Sequence, residues 1–232
     1  MKVVILAGGL GTRLAEETTL RPKPMVEIGD KPILWHIMKI YSAYGFNEFI
    51  ICLGYKGAMI RDFFLNYRSK HSDITINTAN DSIDFHRTEI EKWKVTVVDT
   101  GRETLTGGRI KRISEYIDED NFMLTYGDGV ADINIDQLMK FHMQHKGLAT
   151  VTAVIPPARF GALEIENDQV LSFNEKQASQ DHFINGGFFV LNRKVFDYID
   201  GDDTIWERDP MQRLADENSL YSFRHKGFWQ PM

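Results

Sequence analysis

The chain has 232 residues, 43% of them hydrophobic and 26% charged, with a formal net charge of −6 at pH 7. That length can bury a sizeable core as one α/β domain or two small ones, and the acidic balance argues against a general nucleic-acid binder. No apolar run approaches the roughly 20 residues of a membrane-spanning helix, and the single Cys52 forms no intramolecular disulfide, which fits a reducing cytoplasm.

Val3-Val4-Ile5-Leu6 reads as a buried strand that stops at Ala7-Gly8-Gly9-Leu10-Gly11-Thr12-Arg13. Its apolar core is too short for a signal peptide. The glycines let bare backbone approach a ligand. Thr12 and Arg13 add a hydroxyl and a fixed cation, a set suited to a polyphosphate. The loop is not a P-loop, which ends in Gly-Lys-Ser/Thr. Nor is it a full dinucleotide fingerprint, because Leu14 stands where the third glycine belongs. A simple turn is the plain alternative, and Lys23 weighs against it. Pro22 and Pro24 flank Lys23, disfavour helix and predict a stiff extended segment that aims a cation.

Apolar spacing predicts a helix over 33–44, a strand over 48–53 and a helix over 59–67. Residues 73–98 alternate like strands around a polar turn at Asn80-Asp81. A helix over 108–117, a strand over 122–126 and a helix over 135–145 follow. From Ala149, strands are predicted over 149–155, 162–165, 169–173 and 184–190, with helices over 194–198 and 207–217. This pattern is α/β: a doubly wound, mixed, mostly parallel sheet over about residues 1–130, fused within one domain to a sheet-rich half over about 131–232. Cys52 lies in an apolar strand and reads as a buried, inert thiol. His142 and His145 have no carboxylate or thiolate partners at zinc spacing and read as surface residues.

Tyr126-Gly127-Asp128-Gly129 follows an apolar strand, so Asp128 falls at a carboxyl end, where open α/β sheets bind ligands. A carboxylate there suits Mg²⁺ shared with phosphate oxygens, whereas Asp132 and Asp136 do not complete an EF-hand. Thr106-Gly107-Gly108 heads a helix whose N–H groups can meet an anion. Taken alone, Arg109 reads as a solvated cation beside Lys111 and Arg112. Taken alone, Glu175-Lys176 reads as an exposed ion pair at a strand end, and Asn185-Gly186-Gly187 as a bulge.

The run from Lys2 to Leu14, then Pro22-Lys23-Pro24-Met25-Val26-Glu27-Ile28-Gly29 and Lys31-Pro32-Ile33-Leu34-Trp35-His36-Ile37-Met38, resembles the sugar-phosphate nucleotidyltransferases. The likeness runs the length of the chain. It implies a Rossmann-like nucleotide-diphospho-sugar transferase fold. It also implies Mg²⁺-assisted transfer of a cytidylyl group from CTP to glucose 1-phosphate, giving CDP-glucose and pyrophosphate. By the same resemblance, Leu6, Ala7, Gly8, Gly9, Leu10, Gly11, Thr12, Arg13, Lys23, Thr104, Arg109, Gly127 and Asp128 bind the nucleotide. Arg13, Lys23 and Asp128 would be catalytic, with Asp128 on the metal. Gly161, Glu175, Lys176, Asn185 and Gly186 would hold the sugar phosphate.

Two departures stand out. Gln177 replaces the proline usual after this Glu-Lys, which would free the following loop. The family continues past Met232 with an aspartate that completes the metal site, so the resemblance implies that the 232-residue form binds CTP but turns over weakly at ordinary Mg²⁺. A cytoplasmic homo-oligomer is implied, with a hexamer as the form to test, and with neither nucleic-acid nor membrane partners. UTP or dTTP in place of CTP, and a catalytically inactive regulatory homologue, are the alternatives. Leu14 and Pro22-Lys23-Pro24 disfavour an NAD-dependent oxidoreductase.

Overall fold

The computed structural model describes residues 1–9, 20–156, 162–166, 169–174 and 183–232. In chain order, β1 (Val3–Leu6) is followed by a 3-10 turn at Lys23–Met25, then β2 (Glu27–Ile28) and β3 (Lys31–Pro32). Next come α1 (Ile33–Ser42), β4 (Glu48–Leu53), α2 (Gly57–Leu65), a short helical turn at Tyr67–Lys70, and the strands β5 (Ser72–Asn77), β6 (Ser82–Thr88) and β7 (Lys94–Asp99). The middle of the chain forms α3 (Thr106–Arg112), β8 (Asn121–Tyr126), β9 (Gly129–Ala131), α4 (Ile135–Gln144) and β10 (Ala149–Val154). The remainder is β11 (Ala162–Glu166), β12 (Gln169–Asn174), β13 (Ile184–Asn185), β14 (Phe189–Asn192), α5 (Asp209–Asp216), β15 (Leu220–His225) and β16 (Trp229–Pro231).

The main sheet runs β13-β10-β14-β8-β1-β4-β7, with β15 beside β10. The pairs β8/β1, β1/β4 and β4/β7 are parallel, while β14 is antiparallel to both β8 and β10. β1 tolerates this central place because all four of its residues are apolar and its alternation feeds two cores. Val3 and Ile5 pack with Ile33, Ile37 and Phe49 on one face. Val4 and Leu6 pack with Ile110, Ile113 and Leu124 on the other. Apolar burial on both faces is what a doubly wound, mostly parallel sheet requires. Cys52 is fully buried on the second face, and desolvation pushes its thiol up to about 12, so it is inert as expected.

Several elements differ from expectation for local reasons. The strand over 184–190 is two short strands, because Gly187 (φ +77) and Phe188 (φ 44) turn the chain between them. The helix over 108–117 stops at Arg112 and continues as a 3-10 turn over Ser114–Tyr116. The helix over 194–198 is 3-10 throughout. β15 carries no apolar run because, among the described residues, it pairs with β10 alone and leaves its residues partly exposed. β9 and β16 are three residues each, too short for periodicity to reveal.

His142 and His145 are not surface residues. His142 is 4% exposed at the contact of α4 with β10, and His145 stacks on Tyr221 at 4.0 Å. The N–H of Gly147 donates to His145 Nδ1 at 3.1 Å. A neutral His145 therefore carries its proton on Nε2, which meets Thr150 Oγ1 at 2.7 Å. The Thr150 hydroxyl in turn donates to His142 Nδ1 at 2.9 Å. One backbone donor thus fixes both tautomers. Burial, then the neighbouring His145, pushes the His142 pKa down to about 4.

The unfolded chain binds this proton near pH 6.5 and the folded chain does not, so stability present above pH 6.5 is lost as pH falls towards 4. His142→Gln removes that term. The expected gap in unfolding free energy between wild type and variant narrows by about 2 kcal/mol from pH 7 to pH 5, read by urea denaturation at each pH. An unchanged gap would show that His142 titrates normally.

Candidate active site

Leaving β1, the chain runs outward through β4 and β7 and returns to the other side of β1 as β8. The boundary between β1 and β8 is therefore the switch point of the sheet, where carboxyl ends open a crevice. The register places Leu6 beside both Tyr126 and Cys52, so the segments after β1, β4 and β8 emerge level. They border a cavity of about 970 Å³ lined by Leu6, Ala7, Gly8, Gly9, Lys23, Thr104, Arg109, Gly127, Asp128 and Gly186. These are the described members of the expected nucleotide and sugar sets, apart from Asn185. Leu10, Gly11, Thr12, Arg13, Gly161, Glu175 and Lys176 lie outside the described residues.

Lys23 is not on an extended segment. Pro22 is extended, but Lys23–Met25 forms a single 3-10 turn through Met25 N–H to Pro22 O at 2.8 Å and Val26 N–H to Lys23 O at 3.0 Å. Neither bond needs the N–H that Pro24 lacks, so the prolines stiffen the turn instead of preventing it. A Cβ on Gly127 would lie 2.9 Å from Pro24 Cγ and from Leu6 O. Glycine there lets the turn lie against the end of β8. The result sets Lys23 Nζ 3.2 Å from Asp128 Oδ2 and 3.3 Å from the carbonyl of Met232. Met232 N–H donates to Asp128 O at 2.8 Å, which holds the last residues against the same loop.

Arg109 is 4% exposed, not a solvated member of a basic face. Its Nη1 donates to Leu53 O, Thr100 Oγ1 and Gly101 O at 2.9, 2.8 and 2.7 Å. Its Nη2 donates to Gly8 O at 3.0 Å and Arg102 O at 3.3 Å. Burial draws its pKa below the ordinary arginine value. A Cβ on Gly8 or Gly54 would fall 2.3 or 2.6 Å from its Nη1, so both glycines make room for the guanidinium. Gly9 has open space at the same test and presents bare backbone to the cavity.

The start of α3 is not open to an anion. Thr204 O accepts from Gly107 N–H at 2.9 Å and from Gly108 N–H at 3.3 Å, and Asp202 O accepts from Leu105 N–H. The two glycines admit this docking, since a Cβ on Gly108 would meet Asp202 O at 2.5 Å. Thr104 remains at the cavity wall, 7% exposed.

On the other side of the switch point, Gly186 owes its small size to packing, since a Cβ would lie 2.6 Å from Val154 Cγ1. Asn185 spends its amide internally: Nδ2 donates to Tyr126 Oη at 2.9 Å and Oδ1 accepts from Gly187 N–H. Among the cavity residues without a role in the sequence reading are Tyr126, Trp229 and Glu207. Tyr126 sits inside the quoted Tyr-Gly-Asp run, Trp229 reaches Gly186 O at 2.9 Å, and Glu207 is an acidic residue ahead of a helix. No sequence signal marks Glu207, because its neighbours come from distant segments.

Asp128 is a cavity carboxylate at the end of β8 that could hold a metal. Among the described residues no group of three or more His, Cys, Asp or Glu forms a metal cage. A single carboxylate at an open strand end fits Mg²⁺, which is bound by one or two carboxylates plus water and phosphate oxygens.

The nucleotidyl transferase family model matches residues 2–230, and the chain belongs to that family. The chain is 56% identical to the glucose-1-phosphate cytidylyltransferases of Salmonella typhi and Salmonella typhimurium, over 100% of this chain and 91% of each relative. Its structure is similar to the crystal structure of HddC from Yersinia pseudotuberculosis, with a TM-score of 0.71, 26% identity, and coverage of 99% of this chain and 92% of that one. No helix among the described residues is long and apolar enough to cross a membrane.

Arg109→Met keeps the unbranched stem but leaves the oxygens of Gly101 and Arg102 without their donor, while Leu53 O keeps Thr100 and Gly8 O keeps the Tyr55 N–H. A loss of about 2–4 kcal/mol is expected in chemical denaturation. Arg109→Lys keeps the charge without the fork and should recover less than half of it. Full recovery by lysine would show that charge alone matters.

Proposed function

We propose that the chain transfers a cytidylyl group from CTP to glucose 1-phosphate, giving CDP-glucose and pyrophosphate. One observation carries this reading. The full-length likeness to glucose-1-phosphate cytidylyltransferases coincides with a switch-point cavity in which a lysine and an aspartate from distant segments meet at 3.2 Å. In the reaction a phosphate oxygen of the sugar bonds to the α-phosphorus of CTP, and the bond to the β-phosphate oxygen breaks. Phosphate is already anionic at neutral pH, so no general base is required. The protein's work is in-line positioning and neutralisation of charge.

Lys23 supplies a point charge to the reacting phosphates, and Gly9 borders the same cavity with bare backbone. Asp128 would hold Mg²⁺, which supplies charge neutralisation to the triphosphate when bound. Arg13 at the leaving group and Lys176 at the sugar phosphate complete the proposal as roles implied by resemblance. Action as a cytoplasmic homo-oligomer belongs to the same reading, as does a single nucleotidyltransferase unit divided near residue 130.

Pyrophosphate release, measured with CTP, UTP, dTTP and GTP against several sugar 1-phosphates, should be greatest for CTP with glucose 1-phosphate. A preference for UTP or dTTP would move the proposal to the same chemistry on another base.

Lys23→Ala should lower kcat/KM by at least about tenfold, or 1.4 kcal/mol. The melting temperature should hardly move, because the Lys23–Asp128 pair is only partly buried. Near-normal turnover in a folded variant would remove Lys23 from the site.

Asp128→Asn keeps shape and removes charge. Turnover should collapse, and the Mg²⁺ concentration for half-maximal rate should rise. Wild-type metal dependence in this variant would make Asp128 a turn residue.

A further inference from the structure

The cavity contains a second carboxylate whose surroundings differ from those of Asp128. Glu207 Oε1 accepts from the Tyr126 hydroxyl at 2.6 Å, and Oε2 accepts from the Thr106 hydroxyl at 2.6 Å. Each hydroxyl already accepts an N–H. Asn185 Nδ2 donates to Tyr126 Oη at 2.9 Å, and Trp206 N–H donates to Thr106 Oγ1 at 3.0 Å. A hydroxyl has one proton, so both protons must point at Glu207. Burial first, and then the Glu207 charge, push the Tyr126 pKa up, so this tyrosine stays a donor.

The carboxylate is thus anchored by two one-way hydrogen bonds and, among the described residues, has no ion-pair partner. Such a group is unsuited to phosphate, which it repels. It is suited to neutral hydroxyls, since each carboxylate oxygen accepts more than one hydrogen bond. Its anchors also place it. Tyr126 ends β8 and is held in turn by Asn185 of β13, across the switch point from Gly8. Thr106 opens α3 on the side of Thr104 and Arg109, so Glu207 ties the two walls of the crevice together.

We propose that Glu207 accepts hydrogen bonds from the hydroxyls of the hexosyl group of the sugar 1-phosphate and so helps to set sugar specificity, with Tyr126 and Thr106 as positioning residues. This rests on the sugar-phosphate reading above and adds a residue to it.

The test measures binding by calorimetry, which needs no turnover, for glucose 1-phosphate and its 2-, 3-, 4- and 6-deoxy analogues. Wild type should bind at least one deoxy analogue about tenfold or more weakly than glucose 1-phosphate. Glu207→Gln should weaken glucose 1-phosphate by a similar factor and lose that discrimination, while CTP affinity changes less than about twofold. Tyr126→Phe, which leaves one anchor, should give a smaller loss in the same direction and serves if Glu207→Gln fails to fold.

Reduced CTP affinity with intact sugar discrimination would assign Glu207 to the ribose and overturn the proposal. Unchanged binding of both ligands would leave Glu207 as a structural tie and overturn it as well. Pyrophosphate release run alongside separates the two readings. Sugar discrimination that depends on Glu207, with no turnover on CTP, would overturn the cytidylyl assignment alone.

Discussion

The guanidinium of Arg109 is the joint on which the crevice depends. It is a fixed cation at 4% exposure, and its hydrogen-bond partners are oxygens of Leu53, Gly8, Thr100, Gly101 and Arg102, none of them a carboxylate. Burying a charge is costly unless it is hydrogen-bonded, and here the bonds are made to the segments that leave β1, β4 and β7. Those segments are consequently held level. Gly8 and Gly54 follow from the same constraint, because any Cβ there would occupy the guanidinium's place. Three strand ends that parallel pairing alone would leave as independent loops become one rigid wall.

That wall also divides the cavity electrically. Arg109 lies beneath Gly8, and Lys23 projects from its turn beside Gly127. Asp128 faces Lys23, and Glu207 is tied to Tyr126 and Thr106. Lys23 meets Asp128 in one part of the cavity, near the bare backbone of Gly9, whereas Glu207 is held by hydroxyl donors in another. A net charge of −6 is compatible with this arrangement, because the local field at the cavity is set by a few fixed groups and not by the total.

Much of the fold was legible because it rests on periodicity. β1, β4 and β8 carry apolar runs, β10 is a β-branched and small-residue strand buried along its length, and α1 and α4 keep helical spacing, so their type follows from burial on one face or two. Residues whose meaning depends on tertiary partners were not legible. Arg109 looks solvated in sequence because its acceptors come from residues 8, 53 and 100–102. His142 looks exposed because Thr150 and Tyr221, which enclose the pair, lie on other strands. Gly107 and Gly108 suggested an anion seat, yet they are small so that Asp202 and Thr204 can cap the helix. Lys23 and Asp128 share a site by resemblance alone, and it is the fold that shows their direct contact at 3.2 Å.

The Lys23–Asp128 contact bears on how such a site could begin work. An ion pair at 3.2 Å with a partly exposed carboxylate is worth roughly 0–1 kcal/mol, so breaking it costs little. Each partner keeps the other from being an unpaired charge in a crevice while no ligand is present. On the proposed reading, a triphosphate offers Lys23 a stronger acceptor and leaves Asp128 free for a divalent ion at the same moment. Exchange of partners then needs no new backbone conformation, because Pro22 and Pro24 already fix the turn and Gly127 already fixes its distance from β8. The rigidity built around Arg109 is therefore matched by a weak contact between two side chains of the cavity, the Lys23–Asp128 pair.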